Sequence, residues 1–236
     1  MKDDIQRWFR ENVGRFTGRL LWDEPLSKHT YYRIGGPAAI FAVPFNEEDL
    51  RWLMEGIRQT RCPHFILGSG SNILASDAGY DGLIIRTSRL NLEMMALDSP
   101  PSRPLIRVGG SVPLPSLLRR AVLEGWGGLE FLAGIPGSIG GAVRMNAGTH
   151  VGETQDRLRE VEAYSLLSST EESFKVVYSA DALKFSYRKN HFLPQDHLVN
   201  STVWEVKLET PALVKSAVDG MIFRRKMTQP EIGRAH

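Results

Sequence analysis

Cysteine is nearly absent from this chain of 236 residues: Cys62 stands alone. A lone thiol makes no internal disulfide, which fits a reducing compartment, and its place before Pro63, between helix and strand signals, reads as packing rather than as a nucleophile. No apolar run approaches the ~18 residues of a membrane span. The opening MKDDIQRWFRENVGRF is charged throughout and lacks the apolar stretch of a signal peptide. The expected location is therefore the cytoplasm, without membrane insertion. An excess of one charge is also missing, with Lys plus Arg at 29 against 27 for Asp plus Glu. No global basic field exists to hold nucleic acid. Neither G-x-x-x-x-G-K-[ST] nor a G-x-G-x-x-G opening a helix occurs, which excludes a P-loop and a Rossmann fingerprint. His29, His64, His150, His191 and His197 lack zinc-ligand spacing, so no metal site is expected. There is no internal repeat, and nothing sets an oligomeric state.

What is present is an alternation of helix and strand signals. Ile5, Trp8, Phe9 and Val13 predict an amphipathic helix over residues 1–20. The stretch KHTYYRIGGPAAIFAVPFNEEDLRWLMEGIRQT reads as strand, glycine turn, strand and helix. Asn46 caps that helix, Glu47, Glu48 and Asp49 suit its positive end, and Leu50, Leu53, Met54 and Ile57 share one face. HFILG, residues 83–86 and residues 105–110 are further strands. PLPSLLRRAVLEG is a helix with prolines near its start and Gly125 at its end. Strand signals from Val161 to Val177 and over LVNSTVWEVKLE lead to a last helix, capped by Thr210 with Pro211 at its first position. The order predicts an α+β fold with two small mixed lobes joined near residues 87–105.

Three segments carry candidate chemistry. LGSGSNIL (67–74) follows a strand, and its backbone N–H groups suit either an anion-binding nest or an ordinary tight turn. GLEFLAGIPGSIGGAVRMNAG (128–148) is rich in glycine, which lets a flat ligand approach the backbone; helix packing or a flexible loop is the alternative, and Ile135, Pro136, Ile139, Val143 and Met145 favour an ordered wall. In FSYRKNHF (185–192), the guanidinium of Arg188 is either a solvated, stacking group or one that binds a carboxylate and stabilises developing negative charge.

Taken in order with YYRIGGPA (31–38) and RRKMTQP (224–230), these segments resemble the UDP-N-acetylenolpyruvoylglucosamine reductases, within the wider vanillyl-alcohol-oxidase (PCMH) type of FAD-binding fold. The resemblance spans roughly residues 25–230. It implies a two-lobed FAD-binding domain, with residues 1–86 as the first lobe and N-terminal helix and 87–208 as the second. Residues 209–236 would begin a C-terminal substrate domain that is largely missing. Carried over by position, Arg33, Ile34, Gly35 and Gly36 match the R-I-G-G entry strand and turn. Gly68, Ser69, Gly70, Ser71, Asn72 and Ile73 would cradle the FAD pyrophosphate. Gly134, Ile135, Pro136, Gly137, Ser138, Gly140, Gly141, Ala142 and Asn146 would line the other side, Arg225 would lie near the flavin, and Arg188 would be the catalytic arginine.

The activity so implied is reduction, with FAD as cofactor and NADPH as hydride donor, of the enolpyruvyl group on a UDP-sugar to give UDP-N-acetylmuramate. In the family a G-[SC]-x-F-x-N-P segment supplies the proton donor and a later glutamate completes the site. Here the sequence reads TQPEIGRAH to His236 and contains neither. The expectation is an incomplete copy that keeps the FAD site and turns over poorly. An inactive FAD-binding protein and a flavin-free structural relative stay open beside it.

Overall fold

The computed structural model describes residues 2–168 and 170–228 of the chain. Helix α1 (Lys2–Glu11) is shorter than predicted because its apolar stripe runs out after Phe9: Ile5 and Phe9 are buried, while Val13 sits exposed in a separate helical turn. Next comes a strand that the sequence periodicity does not announce, β1 (Arg19–Pro25), paired antiparallel with β2 (Pro37–Val43). The KHTYY stretch between them is a turn rather than a strand, with the Thr30 hydroxyl donating to the Ile34 carbonyl at 2.9 Å. Helix α2 (Glu47–Thr60) starts where the cap predicts, since the Asn46 side chain accepts from the Asp49 N–H at 2.8 Å. β3 (His64–Leu67) and β4 (Tyr80–Arg86) complete a sheet of order β1-β2-β4-β3, in which β4 runs parallel to both neighbours. Burial of these parallel strands explains the unbroken apolar runs of β2 and β4.

The second half holds β5 (Met94–Ala96) and β6 (Leu105–Gly109), then α3 (Leu114–Glu124), ended by Gly125 at φ 71°. A short β7 (Trp126–Gly127) leads to α4 (Ile139–Met145) and a tight hairpin of β8 (Gly148–Thr149) and β9 (Gly152–Glu153). After the single turn α5 (Thr154–Arg157) come β10 (Leu158–Ser165), α6 (Glu171–Phe174) and β11 (Lys175–Ser179). A second hairpin, β12 (Phe185–Ser186) with β13 (Lys189–Asn190), precedes the long β14 (His197–Glu205), then β15 (Lys207–Leu208) and α7 (Pro211–Thr228). The main sheet has the order β11-β10-β14-β6-β5 and is antiparallel throughout.

The first sheet buries an apolar cluster on each face, and one of these clusters takes in residues of the second half. Ile40, Leu50, Leu53, Leu83 and Ile85 pack with Tyr164, Leu166, Phe174 and Leu198 of the second half. Glu47 ties the same seam with polar bonds, receiving the Tyr164 hydroxyl at 3.0 Å and the Lys175 ammonium at 2.7 Å. The core of the second half holds Val108, Leu117, Trp126, Val161 and Trp204, and it also buries Val214 and Val218 of α7. Burial of an aliphatic side chain stabilises by roughly 1.5–3 kcal/mol, so these two valines dock α7 beside α3. Residues 229–236, with the Gln229-Pro230 element, lie outside the described residues.

Candidate functional site

The GSGSN loop leaves β3 against the turn that precedes β2. Tyr31 N–H donates to the Gly70 carbonyl at 2.9 Å, and a Cβ on Gly70, whose φ is +71°, would come 2.0 Å from the His29 carbonyl oxygen. Only glycine fits that approach. His29 is itself fixed, stacked on Phe41 with ring centroids 4.0 Å apart and bonded to Glu24 at 3.1 Å; burial holds its imidazole below the usual value despite the carboxylate. Among the described residues, no N–H from Ser69 to Asn72 donates to a protein acceptor. Such a run of free backbone donors is what an anion-binding nest requires.

Across from it stands α4, and its first N–H groups are already taken. Ile139 N–H donates to the Val112 carbonyl at 2.9 Å, Gly140 N–H to the Gly110 carbonyl at 2.8 Å, and Gly141 N–H to its cap Ser138 at 3.4 Å. This segment is a bare wall, not a second donor cradle. The two glycine motifs come together directly: a Cβ on Gly68 would lie 2.9 Å from Ser138 Oγ, and one on Gly137 would lie 3.5 Å from Ser71 Oγ.

Arg188 occupies the two-residue turn between β12 and β13, in left-handed conformation at φ 53°, with its guanidinium 5.4 Å from the Tyr187 ring centre. Among the described residues no carboxylate pairs with it. From α7, Arg225 lays its side chain over Gly134, where a Cβ would meet Arg225 Cδ at 2.9 Å. Arg224 reaches His150 of the β8–β9 turn at 3.1 Å. As Arg224 is always protonated and donates, this bond needs an unprotonated Nε2 on His150.

These pieces enclose a cleft of about 1070 Å³, just above the roughly 300–1,000 Å³ usual for small-molecule sites. Gly68 to Ile73, Ile135 to Ser138, Gly140 to Ala142, Asn146, Arg188 and Arg225 all line it. Arg33, Ile34, Gly35, Gly36 and Gly134 do not. The R-I-G-G turn packs instead on the part of the chain leading into β4, with Gly36 N–H bonded to the Ser76 carbonyl at 2.8 Å and a Cβ on Gly35 falling 2.5 Å from Ala75 Cβ. Lining residues that the sequence does not single out include Tyr32, Phe65, Thr87, Arg144, Glu153, Tyr187 and Arg224. The adjacent Arg224 and Arg225 were the available signal for a cationic end, and Arg144 gave none beyond its place in a glycine-rich run.

The fit to FAD rests on the arrangement itself: free donors for a diphosphate on one side, a glycine-rich wall that a flat ring can approach on the other. Residues 38–166, more than half of the chain, match the family described as FAD binding domain. UDP-N-acetylenolpyruvoylglucosamine reductase from Syntrophobacter fumaroxidans is 38% identical over 90% of this chain and 60% of its own length. The reductase of that name from Phenylobacterium zucineum is 34% identical over 94% of this chain and 71% of its own length. This chain belongs to the UDP-N-acetylenolpyruvoylglucosamine reductase family. The crystal structure of the Thermus caldophilus member superposes with a TM-score of 0.70 at 31% identity, over 91% of this chain and 71% of that one. Family and geometry make the two sheets and their cleft a two-lobed α+β FAD-binding domain of the vanillyl-alcohol-oxidase type. The chain spans 60% of the length of the Syntrophobacter reductase.

Proposed function

We propose that this chain holds FAD in the cleft and serves the NADPH-dependent reduction of the enolpyruvyl group of UDP-N-acetylglucosamine enolpyruvate to UDP-N-acetylmuramate. The reaction would take place in the cytoplasm, and its product would feed peptidoglycan synthesis and so cell-wall growth and division. The observation that carries this reading is the contact of the two glycine motifs in one cleft that Arg188 also faces.

Bound FAD would supply two-electron chemistry, accepting hydride from NADPH and giving it to the substrate double bond. The free N–H groups of Ser69 to Asn72, with the Ser69 and Ser71 hydroxyls, would hold the diphosphate. Gly137 to Ala142 would exclude water from one face of the ring. Arg188, unpaired with any described carboxylate, is free to grip the substrate carboxylate in bidentate fashion and to stabilise the charge that builds as the double bond is reduced. Loss of one such group costs on the order of 2.7–4 kcal/mol in the transition state.

NADPH oxidation is the test, with FAD present and the enolpyruvyl UDP-sugar added or left out. Consumption that depends on the sugar and is abolished by Arg188→Met supports the proposal. Consumption indifferent to the sugar, or to Arg188, overturns it.

A further inference from the structure

Three backbone carbonyls converge on the guanidinium of Arg144, at the end of α4. Nη1 donates to Leu193 O at 2.7 Å and to Pro194 O at 2.9 Å, and Nη2 donates to His197 O at 2.7 Å. In return the Arg144 carbonyl accepts from Asn190 Nδ2 at 2.8 Å, and Asn190 Oδ1 accepts from the Leu193 N–H at 3.0 Å. Two residues on, Asn146 Nδ2 donates to the Ser186 carbonyl at 3.3 Å. Both strands of the hairpin that carries Arg188 are thereby tied to one turn of the helix whose glycines form the cleft wall. The task needs a planar fork of several donors, which lysine lacks.

The hairpin needs holding. Arg188 sits at φ 53°, a left-handed conformation that crowds the Cβ of any residue but glycine. Such a conformation persists only where its surroundings over-determine it. Here the surroundings are the strap from Arg144 through Asn190 and the 193–197 carbonyls.

We infer that Arg144 is a positioning residue that makes the Arg188 hairpin part of the glycine wall, so that a ligand seated on the wall also fixes the Arg188 turn. By linkage, fixing the turn tightens the ligand to the same degree. The inference rests on the wall being the flavin site, and the test separates the two.

Hydrogen exchange of the whole chain, with and without FAD, reads the strap directly. In the unaltered protein FAD should slow exchange at residues 187–190 about tenfold, within the usual range of coupling between sites. In Arg144→Met the flavin-free hairpin should exchange about tenfold faster, with β10 and β14 unchanged, as for a locally opened segment, and FAD should no longer protect it. Asn190→Ala, which leaves the guanidinium and its three carbonyls in place, should also lose the FAD-dependent protection and decides the matter if Arg144→Met does not fold. A hairpin as protected in the folded variants as in the unaltered chain overturns the inference. Failure of FAD to bind the unaltered chain overturns the cofactor reading instead, while the flavin-free comparison still judges the strap.

Discussion

Gly141→Ala separates a glycine kept for a ligand from one kept for the fold. Gly141 has no positive φ, and among the described residues the only neighbour an added Cβ would meet is Ser138 Oγ at 3.6 Å, an ordinary contact. Its neighbour Gly140 differs, because a Cβ there would press on the Gly110 carbonyl oxygen at 3.2 Å. For the protein alone, alanine at 141 should stabilise α4 by about 0.4–1 kcal/mol, which at roughly 2–4 °C per kcal/mol raises Tm by about 1–4 °C. Gly141 nevertheless lines the cleft. A methyl group intruding on a closely packed ring should cost about 1–3 kcal/mol, or roughly 5- to 150-fold in FAD affinity. Stability and affinity are thus expected to move in opposite directions. Calorimetry must use flavin-free protein, since bound ligand adds its own stabilisation, and affinity follows from the quenching of flavin fluorescence. A stabilised variant that binds FAD as before would show that the bare wall does not face the cofactor. A destabilised one would refute the packing argument.

Gly70→Ala should instead cost about 2–3 kcal/mol in urea denaturation, combining a left-handed φ with a backbone collision, because its Cβ would lie 2.0 Å from the His29 carbonyl oxygen. Arg188→Gly should hold or raise the Tm of the flavin-free chain by relieving the turn, while abolishing capture of the enolpyruvyl carboxylate in a binding titration; a clear fall in Tm would contradict the strain assigned to that turn. Burial alone would raise the Glu47 carboxyl, but hydrogen bonds from Lys175, Arg51 and Tyr164 hold it below its ordinary 4.5. That contribution is complete above the unfolded value and is lost as pH falls through the lower folded one. Chemical denaturation across this range should therefore show Glu47→Gln less stable near neutrality and less sensitive to acid below pH 4.5 than the unaltered chain.

The helices were legible because each announces itself locally. Asn46 with its acidic first turn, Gly125 at the end of α3 and Pro211 at the start of α7 are signals that tertiary structure did not need to override. β1 was not legible: its residues are mostly half-buried rather than alternating, and they follow an amphipathic helix whose periodicity extends on paper past its real end. KHTYY carries strand signals in its sequence, yet in the structure it is a turn that packs on Gly70. At the site, each glycine motif could be recognised, but not the approach of Gly137 to Ser71, which depends on how two separate sheets meet. The R-I-G-G residues, expected at the cofactor, are not among those lining the cleft, and Gly36 N–H bonds to the Ser76 carbonyl farther along the loop after β3. Arg144 was invisible for a related reason, since its three partners are backbone carbonyls and leave no trace in side-chain identity.

The central claim is that the loop after β3 and the wall at α4 form one seat for FAD, and direct titration of the purified chain with FAD tests it. Saturable binding of one FAD per chain, with quenched flavin fluorescence and a shifted absorbance band, and weakened by Gly141→Ala, is the predicted result. A chain that folds, keeps its unaltered sequence and takes up no FAD would contradict the account.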